Sequence, residues 1–99
     1  MQIDETFRAK VWTQDSTGAW HFVTLPAILS ARIRTLTTGL RKPFGSFRVK
    51  AQIGLTSWET SLFADQKREA FLLPVKADVR RKEKITIGDT IEVTVTFDL

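Results

Sequence analysis

Strict two-residue alternation limits what this chain can fold into more than any other feature. Phe47, Val49, Ala51 and Ile53 alternate with Arg48, Lys50 and Gln52 without a break. Only an extended strand with one buried face sends successive side chains to opposite sides in this way. The same period sets Ile91, Val93, Val95 and Phe97 against Thr90, Glu92, Thr94 and Thr96, and sets Phe7, Ala9 and Val11 against Arg8, Lys10 and Trp12. Three such strands demand a sheet with a solvated face, and 99 residues provide for one core.

The segments between them complete a mostly β plan. Residues 20–25 read as a second strand with apolar groups on both faces, and Pro26 ends it. From Ala27 the residues Leu29, Ile33 and Leu36 fall at helical spacing, until Thr37, Thr38 and Gly39 stop the helix. Residues 40–45 form a basic loop, and residues 57–63 form a strand with Trp58, Thr60 and Leu62 on one side. Residues 64–69 read as a hairpin tip. In the strand at residues 71–75, Pro74 implies an edge, a bulge or a strand end because it cannot donate to a ladder. A short helix anchored by Val79 follows, and then a tight turn in which Gly88 takes positive φ and Asp89 binds backbone amides. The expected architecture is a small six-stranded barrel with one medium and one short helix, forming one domain over residues 1–99.

Charge is the compositional hint about partners. The net charge is +4, yet no acidic residue lies between Asp15 and Glu59, where Arg32, Arg34, Arg41, Lys42, Arg48 and Lys50 all fall. The absence of cysteine argues against a disulfide-stapled secreted domain and points to the cytoplasm. The acidic start at Asp4 and Glu5 does not resemble a signal peptide, and no apolar run is long enough to span a membrane. A chain this small is expected as a monomer or a homodimer.

Four blocks carry a family resemblance. They are the Trp20 strand with its Leu25-Pro26 exit, Trp58-Glu59-Thr60-Ser61-Leu62-Phe63, Leu73-Pro74-Val75-Lys76-Ala77-Asp78-Val79-Arg80, and Ile87-Gly88-Asp89-Thr90-Ile91-Glu92-Val93. Together they resemble the bacterial domain-of-unknown-function family nineteen-oh-five over nearly the whole chain. The resemblance implies a double-split β-barrel, similar in architecture to the swapped-hairpin DNA-binding domains of transition-state regulators and antitoxins. It implies no established activity. Some members are joined to YdeI/OmpD-associated domains, and none is expected within these 99 residues.

The chemistry points away from catalysis. His21 is the sole imidazole and reads as a surface or partly buried strand residue, and no strained glycine elbow surrounds Ser57 or Ser61. One histidine, no cysteine and scattered carboxylates make no metal cluster, so neither metal nor cofactor is expected. An anion site is the leading expectation. Lys76 and Arg80 stand four apart at the short helix, where Arg80 would grip a carboxylate or phosphate beside Trp58 and Ser61, with Phe63 as a further wall. The bland alternative pairs both cations with Asp78 and Glu83 and sends Trp58 to the core. The expected partner is an anionic ligand or a protein. The competing class is nucleic acid, held by Arg8, Lys10, Arg32, Arg34, Arg41, Lys42, Arg48 and Lys50, of which Arg8, Lys10, Arg48 and Lys50 would form a phosphate-binding stripe if the two strands that carry them were neighbours. Glu59 and Glu92 on adjoining strands would neutralise such a stripe.

Overall fold

A computed structural model describes residues 1–14, 18–39 and 45–99. Seven strands and two helices follow in the order β1 (Gln2–Lys10), β2 (Trp12–Thr13), β3 (His21–Thr24), α1 (Ala27–Leu36), β4 (Phe47–Ile53), β5 (Thr56–Asp65), β6 (Ala70–Pro74), α2 (Ala77–Glu83) and β7 (Thr90–Asp98). The strands pair antiparallel in one curled sheet with the order β1-β7-β4-β5-β6-β3-β2. The result is a small, barrel-like β fold.

Two strands change partner part-way, and this divides the sheet into two halves. Along β5, residues 56–62 pair with β4, and the rest pairs with β6. At the other crossing the chain leaves β7 at Val11, whose amide donates to Asp89 O at 2.9 Å and whose carbonyl accepts from Gly88 N at 2.8 Å. Trp12 then lies opposite Phe22 of β3. The first strand read from the sequence is therefore divided at Val11, and this accounts for seven strands where six were expected.

The helices and turns form where local chemistry favours them. Pro26, with φ of −55°, precedes the first turn of α1, a position where a missing amide hydrogen costs nothing. Leu29 and Ile33 face the core, and buried Ser30 links the helix to the sheet: it donates to Leu25 O at 3.3 Å and accepts from Phe71 N at 3.1 Å. Leu36 is partly exposed, and Thr37 takes the buried position at the helix end. The β7 turn works as its sequence suggests, with Gly88 at φ 92° and the Asp89 carboxylate accepting from Thr86 N at 2.9 Å. Pro74 is the last residue of β6, so its missing donor falls at a strand end.

The core fills the concave side of the sheet. Phe47 meets Phe71 and Phe97 edge-on, each with ring centroids 5.6 Å apart, and Val93, Val95, Leu62 and Leu73 close around them. Truncating Phe71 to alanine here would cost about 3–5 kcal/mol. Among the described residues no helix is long and apolar enough to cross a membrane.

Candidate functional site

The β3–β6 pair and the start of α2 build a cleft. Phe22 lies opposite Pro74, so His21 and Val75 are cross-strand neighbours, and Val75 N donates to His21 O at 2.9 Å. The chain then turns at Lys76 into α2, which brings Arg80 back over this pair. Arg80 Nε donates to Val75 O at 3.1 Å, and its Nη1 lies 3.2 Å from His21 Nε2. A guanidinium has no acceptor, so Nε2 must accept that hydrogen bond, and the imidazole is neutral while it does so. Both anchors of Arg80 are therefore uncharged. The second Nη1 hydrogen and both Nη2 hydrogens are not used by these two contacts.

The cleft encloses about 470 Å³. Its polar lining includes Arg80, Lys76, Arg48 and Ser61, and its apolar walls include Trp20 and Phe63. None of the described lining residues carries a carboxylate. Arg48 reaches towards Ser61 Oγ at 3.5 Å across the β4–β5 ladder, where the two residues are opposite each other. Lys76 is exposed at the mouth. The acids nearest in sequence are engaged elsewhere: Asp78 pairs with Arg81 and Lys82, and Glu83 accepts from Thr56 Oγ1 at 2.6 Å. Glu83 also fills the space beside Gly54, where a Cβ would collide with its carboxylate.

Of the residues expected at an anion site, Ser61, Lys76 and Arg80 are brought together in this cleft, with Phe63 as one wall. Trp58 is elsewhere. It is 8% exposed in the core, opposite Ala51, because Trp58 and Leu62 of β5 point inward. Its place is taken by Phe63, 43% exposed, and by Trp20, 61% exposed and stacked 6.3 Å from Phe22. Sequence reasoning did not bring Trp20, His21 and Arg48 to the site. His21, read as a surface or partly buried strand residue, is 7% exposed and supports Arg80. The missing signal was the register of β3 on β6, which puts His21 opposite Val75, two residues before α2 begins.

The described candidate nucleic-acid residues are dispersed. Strand β7 lies between β1 and β4, so Arg8 and Lys10 are not adjacent to Arg48 and Lys50. Arg8 lies opposite Glu92, and Lys50 lies opposite Glu59. Arg32 donates to Glu5 Oε1 at 2.6 Å, and Arg34 is exposed in the last turn of α1. Arg41 and Lys42 are outside the described residues. Among those residues no group of His, Cys, Asp and Glu is arranged to hold a metal ion.

A family model described as Domain of unknown function (DUF1905) matches residues 7–95, which include every described residue of this cleft. No curated protein matches the chain.

Proposed function

The chain belongs to this family of unknown function, and on that premise we propose that it is a non-enzymatic binding module for a small organic anion with an apolar or aromatic body. One observation supports the reading most: Arg80 is held by two uncharged acceptors beside a cleft that also receives Lys76 and Arg48 and has no carboxylate among its described lining residues. A guanidinium already fixed in place loses little side-chain freedom on binding, so more of each new hydrogen bond becomes affinity. The apolar walls at Trp20, Phe63 and Pro74 favour a ligand with carbon surface over a bare inorganic ion. The volume suits a molecule of metabolite size.

A catalytic reading has less support, because the Nε2 of His21 faces Arg80 and is therefore engaged as an acceptor. The nucleic-acid reading has less still, since its cations lie opposite acids or on separate strands. Thermal denaturation with phenyl phosphate, benzoate and inorganic phosphate tests the proposal. A ligand at about 100 times its Kd stabilises the fold by about 2.7 kcal/mol, a shift of several degrees in a domain of this size. The aromatic anions should raise Tm more than inorganic phosphate, and Arg80→Ala should remove the effect. If no aromatic anion shifts Tm at millimolar concentration, the proposal fails.

A further inference from the structure

The sheet has two unequal ends. β2 ends it with the two residues Trp12–Thr13, whereas β1 ends it with nine, Gln2–Lys10, containing neither proline nor glycine. A long, regular edge strand is a template for another strand unless charge or shape prevents pairing. Among the described residues no strand pairs with the outer edge of β1, and the direction of the backbone groups on that edge follows from the ladder. Leu99 N donates to Met1 O and Val11 N donates to Asp89 O, both at 2.9 Å, so the odd-numbered residues of this strand exchange their hydrogen bonds with β7. The even-numbered residues Gln2, Asp4, Thr6, Arg8 and Lys10 therefore aim their N–H and C=O groups away from β7.

We infer that β1 pairs antiparallel with β1 of a second copy of this chain, about a twofold axis at Thr6. In that register Thr6 meets its own counterpart, Asp4 meets Arg8 on both sides of the axis, and Gln2 meets Lys10. These are the positions at which hydrogen-bonded pairs form. On the inner face Ile3 lies opposite Ala9. An axis at Asp4 or Arg8 would set like charges directly opposite, which is destabilising. An axis at Glu5 or Phe7 shortens the overlap of the two strands. The register centred on Thr6 aligns the whole of β1 with complementary charges, and a closed twofold contact satisfies both edges together.

A second observation supports the same surface. A cleft beside this edge is lined by Thr6 and Phe7 from β1 and by Pro26, Ile28 and Leu29 from the start of α1. Ile28 is 82% exposed in the single chain, and an added strand would cover it. Arg32, bonded to Glu5 from α1, already neutralises the acid on the inner face of the strand.

Sedimentation equilibrium of the full chain tests the inference. A monomer–dimer equilibrium is expected, and Asp4→Arg or Arg8→Asp should each weaken it about tenfold or more by creating two like-charged pairs. The combination Asp4→Arg with Arg8→Asp should recover most of the loss, since the pairs between chains are then exchanged rather than lost, with a residual cost because Arg8→Asp sets a second acid opposite Glu92 within each chain. Because the chain has no cysteine, Thr6→Cys gives a clean second reading. It should cross-link to itself on oxidation, whereas Asp4→Cys, whose twofold mate lies about four residues or roughly 13 Å along the ladder, should not. Persistence as a monomer up to the solubility limit would overturn the inference. So would a dimer indifferent to both single reversals, or one in which Asp4→Cys cross-links as readily as Thr6→Cys.

Discussion

Cations meet two different environments in this molecule. On the outer face of β1, β7 and β4 they are interleaved with acids, so that Arg8 lies opposite Glu92 and Lys50 opposite Glu59. In the cleft the three cations Arg48, Lys76 and Arg80 converge with no acid among the described lining residues, and the contacts of Arg80 and Arg48 there are with a carbonyl, an imidazole and a hydroxyl. The difference lies in the charge left over. A cross-strand pair cancels its own field and contributes roughly 0.2–1 kcal/mol to the sheet. Cations held by neutral groups keep their field, and the low-dielectric walls around them strengthen it. Net charge alone does not separate these cases.

The largest effect should come from breaking the cleft at Arg80. Arg80→Ala is expected to weaken binding of an aromatic anion by about 100-fold, in line with roughly 2–3 kcal/mol for a charge-assisted hydrogen-bonded contact. Isothermal titration would measure it. Arg80→Lys should rescue little, because an ammonium on a flexible stem cannot keep Val75 O and His21 Nε2 engaged and still present a fork to the ligand. Next in size are Lys76→Ala and Arg48→Ala, each expected to weaken binding about three- to tenfold. Lys76 is an exposed point charge, and Arg48 is secured only by a long contact to Ser61. Equal losses from all three variants would mean that the cleft attracts by net charge without using Arg80 as a positioned donor.

How much of this contrast could be read in the sequence depended on whether a residue's role is set by its face or by its neighbour. Faces were legible, and the alternation from Phe47 to Ile53 maps onto the buried and exposed positions of β4 without exception. The pairing of Lys76 with Arg80 was legible because helical spacing is local. Strand neighbours were not. Alternation runs unbroken from Phe7 to Trp12, although the hydrogen-bonding partner changes from β7 to β3 at Val11. Burial of Trp58 and exposure of Phe63 follow from parity along β5, yet the approach of Trp20 and His21 to Arg80 required the β3–β6 register, a contact between residues 59 apart.

Variants on the outer face should leave binding nearly unchanged. Lys50→Ala and Arg8→Ala are each expected to alter the affinity for an aromatic anion less than about twofold, and to change stability by no more than about 0.5 kcal/mol. The same contrast predicts the outcome with nucleic acid. Titration against duplex DNA at low and at physiological salt should show no binding with a steep salt dependence, because cations facing acids release few counterions. Tight low-salt binding that Lys50→Ala reduces would reverse the assignment and make the outer face the functional one.

Arg68 lies between the two extremes. It pairs with Asp65 at the end of β5, and its guanidinium also lies over the Trp12 ring, 4.3 Å from the centroid. The hydrogen bond from the Arg68 side chain holds the Asp65 carboxyl below its ordinary value, partly opposed by desolvation. A lowered folded-state value means that the pair contributes stability above the carboxyl's unfolded value, near 3.9, and loses it as pH falls through the folded value. Asp65→Asn should therefore be slightly less stable than the parent at neutral pH, by under about 1 kcal/mol for a pair whose Arg68 side chain is 44% exposed, and the gap should close as pH falls through the folded value. Chemical denaturation at a series of pH values would show it. A gap that persists in acid would mean that the loss in Asp65→Asn does not come from the charge of the carboxylate.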